Sequence, residues 1–193
     1  VTASQWPVSF LREIENETIE EGLALWALGG AGFAVKTAQA LIYLDPYFGG
    51  SINPELLRLV ASPIDPTQIE VADGALSTHS HDDHCEQQTL TAISQNTEAL
   101  FVGPSSSARK MRDWGIETRR TRVLEPGQSC TIREFRVTAL PASDPFEEEA
   151  ISYLVQAGGV SLFHGGDSHY SEIFGQIGSQ WDIDIALLSL GKE

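Results

Sequence analysis

Thr78-His79-Ser80-His81-Asp82-Asp83-His84-Cys85-Glu86 places three of the chain's five histidines, with two aspartates, inside positions 79–84. Imidazole nitrogens and carboxylate oxygens are metal ligands, and concentrating the scarcest of them at one place is what a metal centre requires. The residues just before, 74–78, read as a short strand, so the cluster lies just past a strand end. In an extended segment, side chains two apart point the same way. His79 and His81 can therefore meet one cation, while the turn that follows lets Asp83 and His84 face a second. The other two histidines fall in Phe163-His164-Gly165-Gly166-Asp167-Ser168-His169, where a strand ends in two glycines and an aspartate. Asp167 is placed like a ligand that bridges two ions. A solvent-exposed histidine tract would not come with this second cluster.

Working outward, 193 residues at 41% hydrophobic are enough for one globular domain spanning 1–193, with a core of its own. Twenty-seven acidic against twelve basic residues leave a formal charge of −15, which repels a polyphosphate backbone. Small molecules and cations are the expected partners, nucleic acid is not, and a homo-oligomer is compatible. No apolar run reaches the roughly 18 residues of a membrane span, and no basic-then-apolar leader opens the chain. A cytoplasmic location is expected, with Cys85 and Cys130 as reduced thiols, since two cysteines outside a C-x-x-C pair make no disulfide framework.

The apolar pattern predicts an α+β fold. Trp6, Phe10, Leu11 and Ile14 recur at helical spacing. Runs at 23–28, 33–36 and 41–44, separated by Gly29-Gly30-Ala31-Gly32 and Thr37-Ala38-Gln39, read as consecutive strands, closed by Asp45-Pro46. Residues 47–69 read as loop with one candidate helix at 54–60. Then helix and strand alternate: a helix at 86–94, a strand at 100–102 and a helix at 105–114, followed by a strand at 122–124. After a Pro126-Gly127 turn come one long strand at 131–140 and two more, at 151–156 and 160–164. Tyr170, Ile173, Phe174 and Ile177 form a helical stripe, and 183–190 is a final apolar strand.

H-x-H-x-D-H after a strand, followed some eighty residues later by a strand ending in G-D, resembles the metallo-β-lactamase superfamily. Within it, Gly166-Asp167-Ser168-His169-Tyr170-Ser171, the stretch Asp182-Ile183-Asp184-Ile185-Ala186-Leu187 and the upstream Trp26-Ala27-Leu28-Gly29-Gly30-Ala31-Gly32 are similar to the L-ascorbate-6-phosphate lactonase branch. The resemblance implies a four-layer αββα sandwich with a dinuclear centre at one edge of its two sheets. It assigns His79 and His81 to the first metal, Asp83 and His84 to the second, and Asp167 to both. Many relatives give the first metal a third histidine after the long strand. This chain offers Leu140-Pro141-Ala142-Ser143-Asp144 there, and Asp144 takes the place, as in the lactonase branch. A carboxylate in place of an imidazole hardens the site and shifts the expected pair of ions from zinc toward manganese. Relatives also close the second site with a histidine beyond the region matching 184–191, so the sequence is expected to lack its C-terminal part, and one ion is the alternative if the site stays incomplete.

The implied activity is metal-dependent hydrolysis of a lactone of a small sugar acid, L-ascorbate 6-phosphate among them. Two ions about 3.5–4 Å apart share and acidify a water, with Asp83 orienting the nucleophile or binding the second ion and Asp167 holding the pair together. A phosphodiesterase or nuclease on the same fold and a non-catalytic, partial-site subunit are the alternatives. Arg109, Lys110, Arg112, Arg119, Arg120 and Arg122, half of the basic residues, lie within 109–122. They form either a phosphate-binding patch, with Arg109 and Lys110 its first candidates, or a solvated face. His169 and Tyr170 either line the substrate pocket or anchor the last helix. Gly29-Gly30-Ala31-Gly32 is a turn and no nucleotide loop, because Val35 stands where G-x-G-x-x-G needs its third glycine. Ser168 lacks the G-x-S-x-G elbow, and His164 and Cys85 read as packed neighbours of the site.

Overall fold

A computed structural model describes residues 9–49 and 62–189. Its first sheet runs in the order β1 (Ala24–Gly29), β2 (Gly32–Lys36), β3 (Leu41–Leu44), β4 (Gly74–Leu76), β5 (Leu100–Gly103) and β6 (Thr121–Val123). The first three strands are antiparallel neighbours, and β3 to β6 pair in parallel. Parallel neighbours need crossovers. Those from β4 to β5 and from β5 to β6 carry α2 (Gln87–Asn96) and α3 (Ser105–Asp113), which, with α1 (Ser9–Asn16), cover one face. The second sheet consists of β7 (Ser129–Ile132), β8 (Phe135–Pro141), β9 (Ile151–Ala157), β10 (Val160–His164) and β11 (Ile185–Leu187), in the order β11-β10-β9-β8-β7.

Side-chain alternation along the strands sorts the core into three packed interfaces. Tyr43, Ala75 and Phe101 point from the first sheet toward Leu11 and Ile14 of α1, Leu90 and Ile93 of α2 and Met111 of α3. Their neighbours Ile42, Leu44, Leu76 and Val102 point the other way and meet Val137, Tyr153, Val155 and Leu162 of the second sheet. On that sheet's far side Leu140, Leu154 and Phe163 pack under α4 (Ile173–Gln180) through Ile173, Phe174 and Ile177. The result is the mixed αββα sandwich expected from the sequence.

Three expectations need correction. The single strand at 131–140 is a hairpin, β7 paired antiparallel to β8 with Ile132 opposite Phe135. Arg133 makes the reversal at φ 52. A non-glycine residue in that region gives no turn signal, so the sequence reads through it. The last strand is shorter than 183–190: only Ile185–Leu187 pairs, in parallel with β10. The last helix begins at Ile173, leaving Tyr170 outside it and 93% exposed. The candidate helix at 54–60, and Trp6, lie outside the described residues.

Candidate metal centre

The cluster follows β4 as expected, yet 77–86 is a bend and a turn rather than an extended segment. His81 O accepts from the backbone N–H of both His84 and Cys85, which folds 81–85 back on itself. The entry is pinned from three sides. Ser77 Oγ donates to His84 O, Tyr153 OH donates to Ser77 O, and Ile151 N donates to Thr78 O. Gly166 packs against Thr78 so closely, and with φ 55, that a Cβ there would sit 2.9 Å from Thr78 Oγ1. That contact is why the turn before Asp167 needs its glycine.

Two groups of ligand atoms converge, each within 4.8 Å: His79 with His81 and Asp144, and His79 with His84 and Asp167. His79 belongs to both groups and Asp167 to one. His79 Nε2 lies 3.0 Å from His81 Nδ1 and 3.9 Å from Asp144 Oδ2. His84 Nε2 lies 3.3 Å from Asp167 Oδ2 and 3.7 Å from Asp83 Oδ2, so Asp83 stands beside the second group without completing it. Asp144 uses Oδ1 to accept from Phe146 N, while its buried Oδ2 has no hydrogen-bond partner among the described residues. A buried carboxylate oxygen left without a donor is costly unless something positive meets it. The donor set thus fits divalent cations: imidazole nitrogens and a carboxylate in each group, with spare lone pairs turned toward one another.

Asp45 organises this arrangement and was missed in the sequence, where Asp45-Pro46 reads only as a strand stop. It sits fully buried at φ 43, at the end of β3. Its Oδ1 accepts from Thr78 N, and its Oδ2 accepts from Thr78 Oγ1 at 2.8 Å, His84 Nδ1 at 2.9 Å and His164 Nε2 at 2.8 Å. The His84 contact fixes the tautomer: Nδ1 carries the proton and Nε2 faces the ligand group. Thr78 Oγ1, having given its proton to Asp45, accepts from His79 Nδ1 at 3.1 Å and leaves the His79 Nε2 lone pair for the cluster. The sequence holds one local hint, a lone aspartate directly after an apolar strand.

Burial alone would raise the Asp45 carboxyl, but the charges and hydrogen bonds of His84 and His164 outweigh it and hold the group far below the usual carboxylate range. Burial likewise favours a neutral His84, against which Asp45 and Asp167 push the imidazole up to about 11. That shift favours the protonated imidazole between the two carboxylates, so a cation at Nε2 would compete with its proton. Burial, then the charge of His84, lowers the pKa of His79. The hydrogen bond from His84 lowers that of Asp167.

The other candidates scatter. Lys110 Nζ donates to Ser80 O at 2.6 Å and to Asp82 Oδ1 at 3.1 Å, against the metal loop. Arg109 is exposed on α3. Arg120 is buried, donating to the carbonyls of Ser94, Thr97 and Ala99, and Arg119 pairs with Glu117. His169 meets Phe146 edge-on with ring centroids 6.2 Å apart, and its backbone N–H donates to Ser143 O near Asp144. Beside His84 and Asp167 opens a pocket of about 440 Å³, walled by Ala31, Phe33, Leu187 and Leu188.

Comparison with known proteins agrees with this geometry. The family described as "Beta-lactamase superfamily domain" matches residues 41–191. The chain is 27% identical, over an alignment 236 positions long, to the "Probable L-ascorbate-6-phosphate lactonase UlaG" of Escherichia coli O139:H28, covering 99% of this chain and 67% of that protein. Among solved structures, the isothiocyanate hydrolase from Delia radicum gut bacteria superposes with a TM-score of 0.68 at 16% identity, over 84% of this chain and 69% of that one. The diiron β-hydroxylase CmlA from Streptomyces venezuelae gives a TM-score of 0.64 at 19% identity, over 88% and 35%. At such identities these two establish the fold alone, and their differing chemistries show that the fold does not choose the reaction.

Proposed function

Since the chain belongs to the metallo-β-lactamase superfamily, we propose that it is a metal-dependent hydrolase that opens the lactone of a small sugar acid. The observation that carries this is a pair of carboxylate-closed groups, His81 with Asp144 and His84 with Asp167, on either side of His79, whose one free lone pair can complete either. Two divalent cations held there, manganese or zinc, supply Lewis acidity and a water acidified toward neutral pH. The chain's own residues do the rest. Asp45 and Thr78 keep the Nε2 lone pairs of His84 and His79 directed at the cations. Asp83, at the edge of the second group and lining the pocket, would orient a nucleophile or add a ligand. Ala31, Phe33, Leu187 and Leu188 form an apolar wall against which the carbon skeleton of a small ring can lie.

The substrate class follows from the similarity to the L-ascorbate-6-phosphate lactonase and from the chain's charge. At −15 the protein repels long polyanions, which disfavours a nuclease on the same scaffold. Work on a small metabolite is in keeping with a cytoplasmic enzyme whose Cys85 and Cys130 remain thiols. The test is hydrolysis, by the manganese- or zinc-loaded protein, of a panel holding sugar lactones with and without a phosphate and a bis-aryl phosphodiester. Turnover of the lactones is expected. Cleavage of the phosphodiester with none of the lactones would replace the reading by a phosphodiesterase.

A further inference from the structure

Ser80 and Asp82 occupy the two positions of the metal loop between His79 and Asp83 that belong to neither ligand group, and both are held from outside the loop. Ser80 Oγ donates to Glu147 Oε2 at 2.9 Å, and Lys110 Nζ donates to Ser80 O and to Asp82 Oδ1. Glu147 lies three residues past Asp144, in the connection from β8 to β9. That connection has further attachments, the bond from His169 N to Ser143 O among them. Glu149 Oε2 accepts from Ser106 N in the first turn of α3, at 2.7 Å, and Ser143 N donates to Ser168 Oγ, at 3.1 Å. The loop with His79 and His81, the loop with Asp144 and helix α3 are thus joined in a closed triangle. Lys110 fixes the first loop to α3, Glu149 fixes the second to α3, and Ser80–Glu147 fixes the loops to each other.

We propose that Lys110 and Glu147 are positioning residues for the His79, His81 and Asp144 group: they hold the Asp144 loop at the distance at which its carboxylate and the two imidazoles share one cation. This rests on the reading of that group as a metal site. Metal ligands must be held to a few tenths of an ångström, and hydrogen bonds to charged groups are the strong, short ones suited to doing so. The ties are poor candidates for a general stabilising role. Lys110 and Asp82 are 38% and 45% exposed at their side chains, and ion pairs so open to water contribute little to folding. It also gives Lys110 a role other than binding a substrate phosphate.

The whole 193-residue chain, stripped of metal, is titrated calorimetrically with Mn²⁺ and with Zn²⁺, and the melting temperature of each stripped variant is recorded. Ser80→Ala, Glu147→Ala and Lys110→Ala are each expected to weaken one of two binding events by about 10- to 100-fold while leaving the other and the melting temperature near those of the unchanged chain. Glu147→Gln, which still offers Ser80 an acceptor, should recover most of the loss. Ser80→Ala with Glu147→Ala should cost no more than the worse single change, because both remove one hydrogen bond. Unaltered affinity in all three variants, or an equal loss at both events with a fall in melting temperature, would overturn the proposal while leaving the metal centre standing. Absence of any cation binding by the unchanged chain would overturn both.

Discussion

At the N-terminal ends of β4 and β5 lies a groove of about 580 Å³, lined in part by Glu70, Asp73, Glu98 and Arg133. Past the C-terminal ends of β4 and β10 lies the smaller pocket of about 440 Å³ beside His84 and Asp167. Both ends are rich in carboxylates, and they use them differently. In the groove, Asp73 accepts from Leu41 N and from Arg133 Nε, Glu70 pairs with Arg12, and Glu15 accepts from the N–H groups of Glu70 and Val71. Charge there closes turns and strand ends. At the other end Asp144 keeps a buried oxygen without a donor among the described residues, and three imidazoles present nitrogen atoms to one another and to carboxylates. Volume does not mark the chemistry. Unspent lone pairs, kept so by a shell that spends its own, do.

If that contrast is right, changes at the C-terminal end strike metal binding and turnover, and changes away from it strike folding alone. The largest effect is expected from His79→Ala, which removes the ligand common to both groups. Bound metal should fall from near two equivalents to about one, and kcat/KM by about a thousandfold or more, beyond the 10- to 100-fold typical of outer-shell residues. Elemental analysis and lactone hydrolysis measure both. Arg120→Ala breaks the contrast from the other side, because it leaves the carbonyls of Ser94, Thr97 and Ala99 without their donor and uncovers the Phe101 ring, 5.4 Å beneath the guanidinium. Denaturant unfolding should show a loss of about 3 kcal/mol, with metal content per folded molecule unchanged.

Asp45→Asn tests the shell itself. Asparagine tolerates the positive φ of this position, so the backbone survives, but an amide cannot hold His84 and His164 as the carboxylate does. Metal affinity should drop by about 10- to 100-fold. The same group predicts the acid and alkaline behaviour of the metal-stripped protein. Asp45, held below its ordinary 3.8, contributes stability that is present above that pH and is lost as acid protonates it. His84, raised from 6.5 to about 11, contributes stability that is complete below 6.5 and is lost as the pH climbs toward about 11. Thermal melts of the stripped protein should therefore peak between about pH 4 and 6.5, and the alkaline decline should shrink in Asp45→Asn to the part that Asp167 supplies. The smallest effect belongs to Arg133→Ala in the groove: an exposed pair with Asp73 should be worth no more than about 0.5 kcal/mol.

Much of the sandwich was legible because it is local. Apolar runs at 41–44 and 151–156, and helical spacing in Phe10, Leu11 and Ile14, report what is buried without knowledge of the partner. The reversal at Arg133 was hidden because the residue carries none of the usual turn chemistry, and Tyr170 was drawn into α4 because its spacing matches a helix that its exposure shows it does not join. In the centre, His79, His81, Asp83, His84, Asp144 and Asp167 could be named from strand ends and from the resemblance, and the fold gathers His79, His81 and Asp144, and His79, His84 and Asp167.

The sequence by itself determined the ligand types, the strand ends they follow and the superfamily, since each is written in neighbouring residues. Only the tertiary structure decided that His79 stands between two groups, that Lys110 and Glu147 brace the loops, and that Asp45 sets the tautomer of His84. Asp45 is 39 residues from His84 and 119 from His164, yet one carboxylate oxygen serves both. No local periodicity encodes such a contact; it exists because two sheets stack face to face and bring the end of β3 against the ends of β4 and β10.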